Sequence, residues 1–377
     1  MSNLFEVYGL LDVEPVKAQG SLLWDANGKE YFDFYGGHAV ISIGHSHPHY
    51  VKRITEQLSK IGFYSNAVKN PLQVELAELL CKTAGYPDYN LFLCNSGAEA
   101  NENAMKLASF ETGRDQILVM NAAFHGRTSQ AVAATDNPKI QAPINKTQKV
   151  TFIPMNNAEL LEQELKKECY AAVVIEGIQG VGGIQVPNDD YLLTMRELCD
   201  QTGTMLILDE IQSGYGRTGL FFAHQQSGVK PDMITMAKGI GNGFPMAGVL
   251  ISPKIEAKKG MLGTTFGGSH LACAAALAVL EVMNSEKLVE NAAKQGKYLM
   301  DELSRESRIV DMRGRGLMIG IDLPMPQGEF RGVLLNEYSV LTGMAGTHTL
   351  RLLPALNITK EECDRFLEAF HGTMKRF

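Results

Sequence analysis

The stretch MLILDE at 205–210, followed after a short spacer by DMITMA at 232–237, decides the fold. Each is a short run of Leu, Ile and Met with almost no polar alternation, bounded by polar or glycine-bearing segments. A strand with one wet face alternates; a strand buried on both faces does not. The same signature recurs outward from this pair at AAVVIE (171–176), QILVMN (116–121), KVTFIP (149–154) and AGVLIS (247–252). Between the runs lie amphipathic segments such as NNAELLEQELKK (156–167) and NDDYLLTMRELCDQT (188–202), the second with Asn188 or Asp189 placed to cap a helix. Strand, helix, strand, helix predicts an α/β domain with a mostly parallel sheet covered on both sides.

The two ends of the chain read differently. SLLWD (21–25) and KEYFDF (29–34) flank Asn27-Gly28, which predicts a hairpin. Residues 285–377 hold charged helices and two strand candidates, LMIGIDL (317–323) and TLRLL (349–353). The expected organisation is a large domain over 51–284 and a smaller α+β unit built from 1–50 and 285–377, with a site where the two meet. A chain of 377 residues with 45% hydrophobic and 20% charged residues supports such a core without staples. The net charge of −7 and the lack of a basic tract speak against a nucleic-acid partner. Six scattered cysteines with no CxxC pair fit reduced thiols in a cytoplasmic protein. The opening MSNLFEVYGLLDVEP does not read as a signal peptide, and no apolar run approaches the ~20 residues of a membrane span.

In an open α/β sheet, ligands gather beyond the carboxyl ends of the strands. Glu176 ends one run, Asp209 and Glu210 end another, Lys238 follows a third, and AAFHGRT with Arg127 follows a fourth. Acids, a lysine and an arginine therefore converge on one sheet edge. In LFLCNSGAEANENAMKLASF (91–110) a strand gives way to Asn95-Ser96-Gly97-Ala98 and then a helix. Ser96 with Glu99 three positions on forms a capping box, and the small Gly97 and Ala98 would let a phosphate approach the free N–H groups. GIGNGFP (239–245) and RGRGLMIG (313–320) lack the spacing and strand–helix context of a dinucleotide fingerprint, which disfavours an NAD-dependent oxidoreductase. His45, His47 and His49 flank Pro48 without carboxylate partners nearby in sequence, so a polar turn is expected there and no metal.

Taken together, these segments resemble the class III pyridoxal-phosphate aminotransferases, of aspartate-aminotransferase-like fold (fold type I). LILDEIQSGYGRTG (206–219) and PDMITMAKGIGNGFPMAGV (231–249) match the family's signature region, with Asp209 and Lys238 29 positions apart. YGGHAVISIGHSHP, SGAEANENAMKLAS, AFHGRT and GTTFGGSHLACAAAL are similar to the acetylornithine aminotransferases within it. The resemblance implies that Lys238 bonds the aldehyde of pyridoxal 5'-phosphate and later moves a proton as a free amine. It implies that Asp209 pairs with the ring nitrogen, that Ser96, Gly97 and Ala98 bind the phosphate, and that Phe124 and Ile211 pack on the ring. Gln212 is implied to reach the ring hydroxyl. Thr265 is implied to reach the phosphate of a neighbouring subunit in a homodimer with shared sites, and Thr264 to touch substrate together with Glu176. Arg127 and Arg351 match carboxylate-binding positions, and the guanidinium fork suits that group.

Two departures from the family pattern stand out. Where relatives read E-P-I-Q-G-E-G-G, this chain reads Glu176-Gly177-Ile178-Gln179-Gly180-Val181-Gly182-Gly183. The second glutamate, which in relatives resembles a switch that pairs with the counterpart of Arg351, is Val181. Something else must then satisfy Arg351, for instance water or an acidic acyl group on the substrate. His38 stands where ornithine aminotransferases tend to carry tyrosine, which favours an acylated substrate. The expected reaction moves the δ-amino group of an N2-acylornithine, acetyl or succinyl, to 2-oxoglutarate, giving glutamate, in arginine biosynthesis. Ornithine or 4-aminobutyrate aminotransferase activity is the rival within the family, and a non-catalytic binding protein on the same scaffold the rival outside it.

Overall fold

The computed structural model describes residues 3–377. Seven strands form the central sheet, in the spatial order Asn90–Cys94, Ala247–Ile251, Met233–Met236, Met205–Asp209, Tyr170–Glu176, Gln116–Met120 and Lys149–Ile153. All the runs singled out above are in it. Only Ala247–Ile251 is reversed, pairing antiparallel with both neighbours. The unbroken apolar runs have a simple cause. Ile117, Val119, Ala172, Val174 and Ile207 pack on one face under the helix Gly97–Thr112. Leu118, Met120, Val173, Ile175, Leu206 and Leu208 pack on the other, under the helices Ala158–Leu165 and Asp189–Thr202. Each side chain of this size contributes roughly 1.5–3 kcal/mol on full burial. Asn157 caps the first of those two helices through Leu160 N, whereas Asn188 occupies the cap position of the second without a side-chain bond.

The predicted hairpin forms between Leu22–Asp25 and Glu30–Asp33, with Leu22 opposite Phe32, and Pro15–Gln19 adds a strand outside it. Its free edge is completed from far along the chain: Val340–Leu341 pairs parallel to it, with Val340 opposite Phe32. A third sheet takes the order Asp311–Arg315, Met318–Asp322, Thr349–Leu352 and Gly343–Ala345. Phe32 and Phe34 pack in one hydrophobic cluster with Leu334, Phe366 and Phe370. The N-terminal strands thus share a core with the C-terminal helices. Among the described residues no helix is long and apolar enough to cross a membrane. The three histidines near the start point to separate partners, His45 to Asp33, His47 to Glu286 and His49 to Glu281, and no metal-ligand cluster is present among the described residues.

Candidate active site

Strand register places the reactive groups in a row. Glu176 lies opposite Asp209, and Asp209 opposite Thr235, three residues before Lys238. Beyond these strand ends opens a cavity of about 300 Å³. Of the residues expected at the site, Ser96, Gly97, Ala98, Phe124, Glu176, Asp209, Ile211, Gln212 and Lys238 all line it, as does Val181. Glu210 does not. Neighbouring residues at a strand end face opposite ways, and Glu210 turns into the core, where it accepts from Ser213 Oγ, from Ala223 N, and from both His224 N and Nδ1.

One wall is the start of the helix Gly97–Thr112. Ser96 Oγ accepts from Glu99 N at 3.2 Å, and the Glu99 carboxylate reaches back to Asn95 N at 2.8 Å, one residue earlier than a capping box requires. The Gly97 and Ala98 amides are left without intrahelical acceptors, as at any helix start. A side chain at Gly97 would meet Ile211 Cδ1 at 2.9 Å, and one at Gly126 would meet Ala98 Cβ at 2.8 Å, so glycine at both positions keeps the cradle open and packed. Free amides at a helix N-terminus, small residues around them and two apolar side chains nearby fit a phosphate ester on a flat ring.

At the floor lies Asp209, buried, with three donors. Asn101 Nδ2 and His125 Nδ1 each reach Oδ2 at 2.8 Å, and Ile211 N reaches Oδ1 at 3.0 Å. Burial works against a charged imidazole at His125, but the hydrogen bond and charge of Asp209, with Glu176 beyond, outweigh it and hold its pKa above the ordinary value. In this pair His125 Nδ1 is the donor and Asp209 Oδ2 the acceptor. Glu176 accepts from Phe124 N at 3.0 Å and Gly180 N at 2.9 Å. Burial pushes its pKa up to about 7, against the pull of His125, while Asp209 adds to the rise and the two amides oppose it. The Lys238 side chain makes no hydrogen bond or ion pair among the described residues, while its carbonyl accepts from Gly241 N at 3.1 Å. Burial lowers its pKa, Asp209 and Glu176 oppose the shift, and Arg351 adds to it. Its backbone sits at φ 51°, in the left-handed region, where a non-glycine residue is held by its surroundings.

Arg351 is buried on the strand Thr349–Leu352, behind the cavity lining. Its guanidinium donates to Gly180 O at 2.9 Å and to Gln212 Oε1 at 3.4 Å, and its Nε has no acceptor. No carboxylate pairs with it among the described residues: the partners that take over beside Val181 are a carbonyl and an amide. Gln212 is held in turn by the carbonyl of His38 at 3.1 Å. His38 belongs to a turn, Gly36–Ala39, in which all four residues have positive φ, and its ring contacts Tyr35 Oη. Three expected residues stand apart from the cavity. Arg127 is exposed, 5.9 Å from the Phe124 ring centroid, with no ion pair among the described residues. Thr264 Oγ1 accepts from Asn95 Nδ2 at 3.1 Å, and Thr265 is exposed.

Asn101 and His125 were not singled out by sequence. Both gave a signal: His125 sits inside AFHGRT, and Asn101 is a polar residue on the helix stripe otherwise made of Ala100, Ala104, Met105 and Ala108, all buried.

The family model of the class III aminotransferases matches residues 7–374. The acetylornithine aminotransferase of Methanosarcina mazei is 41% identical over 369 residues, covering 97% of this chain and 92% of that protein. The crystal structure of ornithine aminotransferase from Toxoplasma gondii ME49 superposes with a TM-score of 0.91 at 29% identity, over 98% of this chain and 93% of that one. A second structure of the Toxoplasma gondii enzyme, described as showing partial occupancy of PLP at its active site, gives 0.92 at 29% identity, over 99% and 93%. With the strand-end lysine and aspartate on one cavity and the match running almost end to end, the chain belongs to the class III aminotransferases.

Proposed function

We propose that this chain is a pyridoxal-phosphate-dependent aminotransferase that takes the δ-amino group of an N2-acylornithine and passes it to 2-oxoglutarate, as in arginine biosynthesis. The observation that carries the reading is the placement of Lys238, Asp209 and the Gly97–Ala98 amides around one cavity in a chain whose relatives are named acetylornithine aminotransferases. When bound, the cofactor supplies an aldehyde for the amino group and a ring that takes up the electrons of a broken C–H bond.

The chain's own residues do the rest. The Gly97 and Ala98 N–H groups and Ser96 hold the phosphate, and Phe124 and Ile211 pack on the ring. Asp209, held in place by its three donors, would face the ring nitrogen and hold a proton there. Lys238 Nζ, biased toward the neutral form by burial, would take the proton from the substrate carbon and deliver it to the former aldehyde carbon of the cofactor, so that the amino group stays with the cofactor. Arg351 binds the carboxylate adjacent to the amino group of glutamate, displacing neutral partners only. Arg127, exposed above Phe124, takes the second carboxylate of glutamate or that of the acylornithine; Thr264 and Glu176 complete the substrate side.

The functional unit is proposed to be a homodimer. Thr265 is exposed, does not line this chain's own cavity, and adjoins an apolar surface. Phe266 is 61% exposed, its ring centroid 5.2 Å from that of Phe63, which is 43% exposed. A second copy laid on this face would cover these rings and bring Thr265 to the neighbouring site.

The test is an amino-donor panel on the purified holoenzyme, read by loss of the bound aldehyde's visible absorbance. N-acetyl- or N-succinylornithine should react faster than free ornithine and 4-aminobutyrate. Equal or faster reaction with the unacylated donors would overturn the substrate assignment. A succinylated donor is favoured by one observation: Arg351 has no carboxylate of the chain's own to answer it.

A further inference from the structure

Asn101 is fully buried and bonded on every side, yet it touches no part of the cavity. Its Nδ2 donates to Asp209 Oδ2 at 2.8 Å and to the carbonyl of His125 at 2.7 Å; its Oδ1 accepts from Thr235 Oγ1 at 2.7 Å. The orientation of the amide is fixed by chemistry. Both groups on the Nδ2 side are pure acceptors, so a turned amide would set oxygen against oxygen, and the Thr235 hydroxyl could not repair both contacts. Four elements meet in this one side chain: the helix that begins at the phosphate cradle, the His125 loop, the strand that ends in Asp209 and the strand that leads to Lys238.

A buried carboxylate keeps its charge only if donors surround it. Asp209 has a second carboxylate, Glu176, within electrostatic reach, which disfavours a second negative charge. It also has His125, whose proton on Nδ1 could be transferred to it. An oxygen that accepts from Asn101 as well as from His125 is a poorer base toward that proton.

We infer that Asn101 is a positioning residue for the Asp209 carboxylate. Braced by Thr235 and the His125 carbonyl, it holds Oδ2 with a fixed donor, so that the carboxylate keeps one orientation toward the cavity. The inference rests on the reading of Asp209 as partner of the cofactor's ring nitrogen and assigns the group that maintains that partner. A role confined to packing would weaken the site without regard to what the ring carries. The role inferred here concerns the ring nitrogen alone.

That distinction supplies the experiment. Dissociation constants of the apoenzyme are measured for pyridoxal phosphate and for its analogue in which C–H replaces the ring nitrogen. Wild type, Asn101→Leu and Thr235→Val are compared. Wild type should prefer the natural cofactor. Asn101→Leu should reduce that preference about tenfold, the scale of one hydrogen bond to a charged group, while the constant for the analogue moves little. Thr235→Val, which removes the third contact that holds the amide in place, should reduce it in the same direction by less. Loss of preference restored by Thr235→Ser would strengthen the case. A wild type that binds both ligands alike would overturn the ring-nitrogen reading itself, and this inference with it. A wild type that discriminates, with variants that discriminate equally well, overturns the role of Asn101 alone. Should Asn101→Leu fail to fold, Thr235→Val decides: an unchanged ratio there refutes the inference.

Discussion

Replacing Gly126 by alanine should loosen the phosphate cradle from behind. Gly126 has φ 141°, a region that side-chain-bearing residues avoid. A Cβ there would lie 2.8 Å from Ala98 Cβ and 3.0 Å from both Ala98 Cα and Ala131 Cβ. Backbone strain of this kind costs about 1–3 kcal/mol, and forcing a methyl into a filled space costs about 1–3 kcal/mol. Partial relief by movement of Ala98 would leave about 3 kcal/mol. A chain of 377 residues unfolds with an entropy of about 0.8 kcal/mol/K, so the apoenzyme should melt about 4 °C lower. The relief comes at the expense of the cradle, since Ala98 is pushed toward the cavity it lines. Affinity for pyridoxal phosphate should therefore fall as well, and the holoenzyme should lose more than the apoenzyme by linkage. The assay is differential scanning calorimetry with and without cofactor, alongside a cofactor titration. A variant that melts like wild type in both forms and binds cofactor equally well would refute the close-packing argument at its root.

Val181→Glu should give Arg351 a carboxylate next to Gly180, whose carbonyl already meets the guanidinium. A half-exposed pair of this kind is worth about 1 kcal/mol, so KM for glutamate should rise about fivefold; unchanged KM for glutamate in steady-state assays would count against the carboxylate role of Arg351. In the role proposed for it Lys238 must be neutral to attack the aldehyde, and its pKa lies below the ordinary 10.5, so cofactor capture by the apoenzyme should reach its plateau below that pH and fall as the pH is lowered. Arg351→Gln removes a charge that lowers the lysine, so the rising limb of that profile should move to higher pH; a stationary limb in stopped-flow reconstitution would contradict the coupling. His125 binds its proton more tightly folded than unfolded, so the stabilisation it provides is complete below about pH 6.5 and lost as pH rises through the higher folded value. Apo wild type should lose urea midpoint across that window relative to His125→Asn, with Glu176 common to both, and parallel pH profiles would exclude the ion pair.

Much of this molecule was legible before its coordinates. The runs from Gln116 to Ile251 announced a sheet buried on both faces, because their apolar residues do not alternate. The reversal of Ala247–Ile251 was not legible, since strand direction depends on the connections and leaves no mark on composition. Asp311–Arg315, reading DMRGR, escaped notice because an edge strand with charged and glycine residues carries no apolar run. At the site, residues that follow strands were found because topology delivers them to one edge. Glu210 was misplaced by the same rule, which cannot tell the two faces of a strand end apart. Asn101 was missed because buried polar residues are read by their partners, and those lie 24 to 134 positions away in sequence.

The pairing of Val340 with Phe32 has a consequence for how the chain is made. A ribosome releases the N-terminal hairpin early and its edge partner only some 300 residues afterward, roughly 15–60 s at ordinary elongation rates. Throughout that interval the hairpin waits with an open flank and with Phe32 and Phe34 uncovered, while the central sheet can already close. The nascent polypeptide thus carries a sticky border for most of its synthesis, and a stall before codon 340 would leave a nearly complete catalytic floor beneath an unfinished roof.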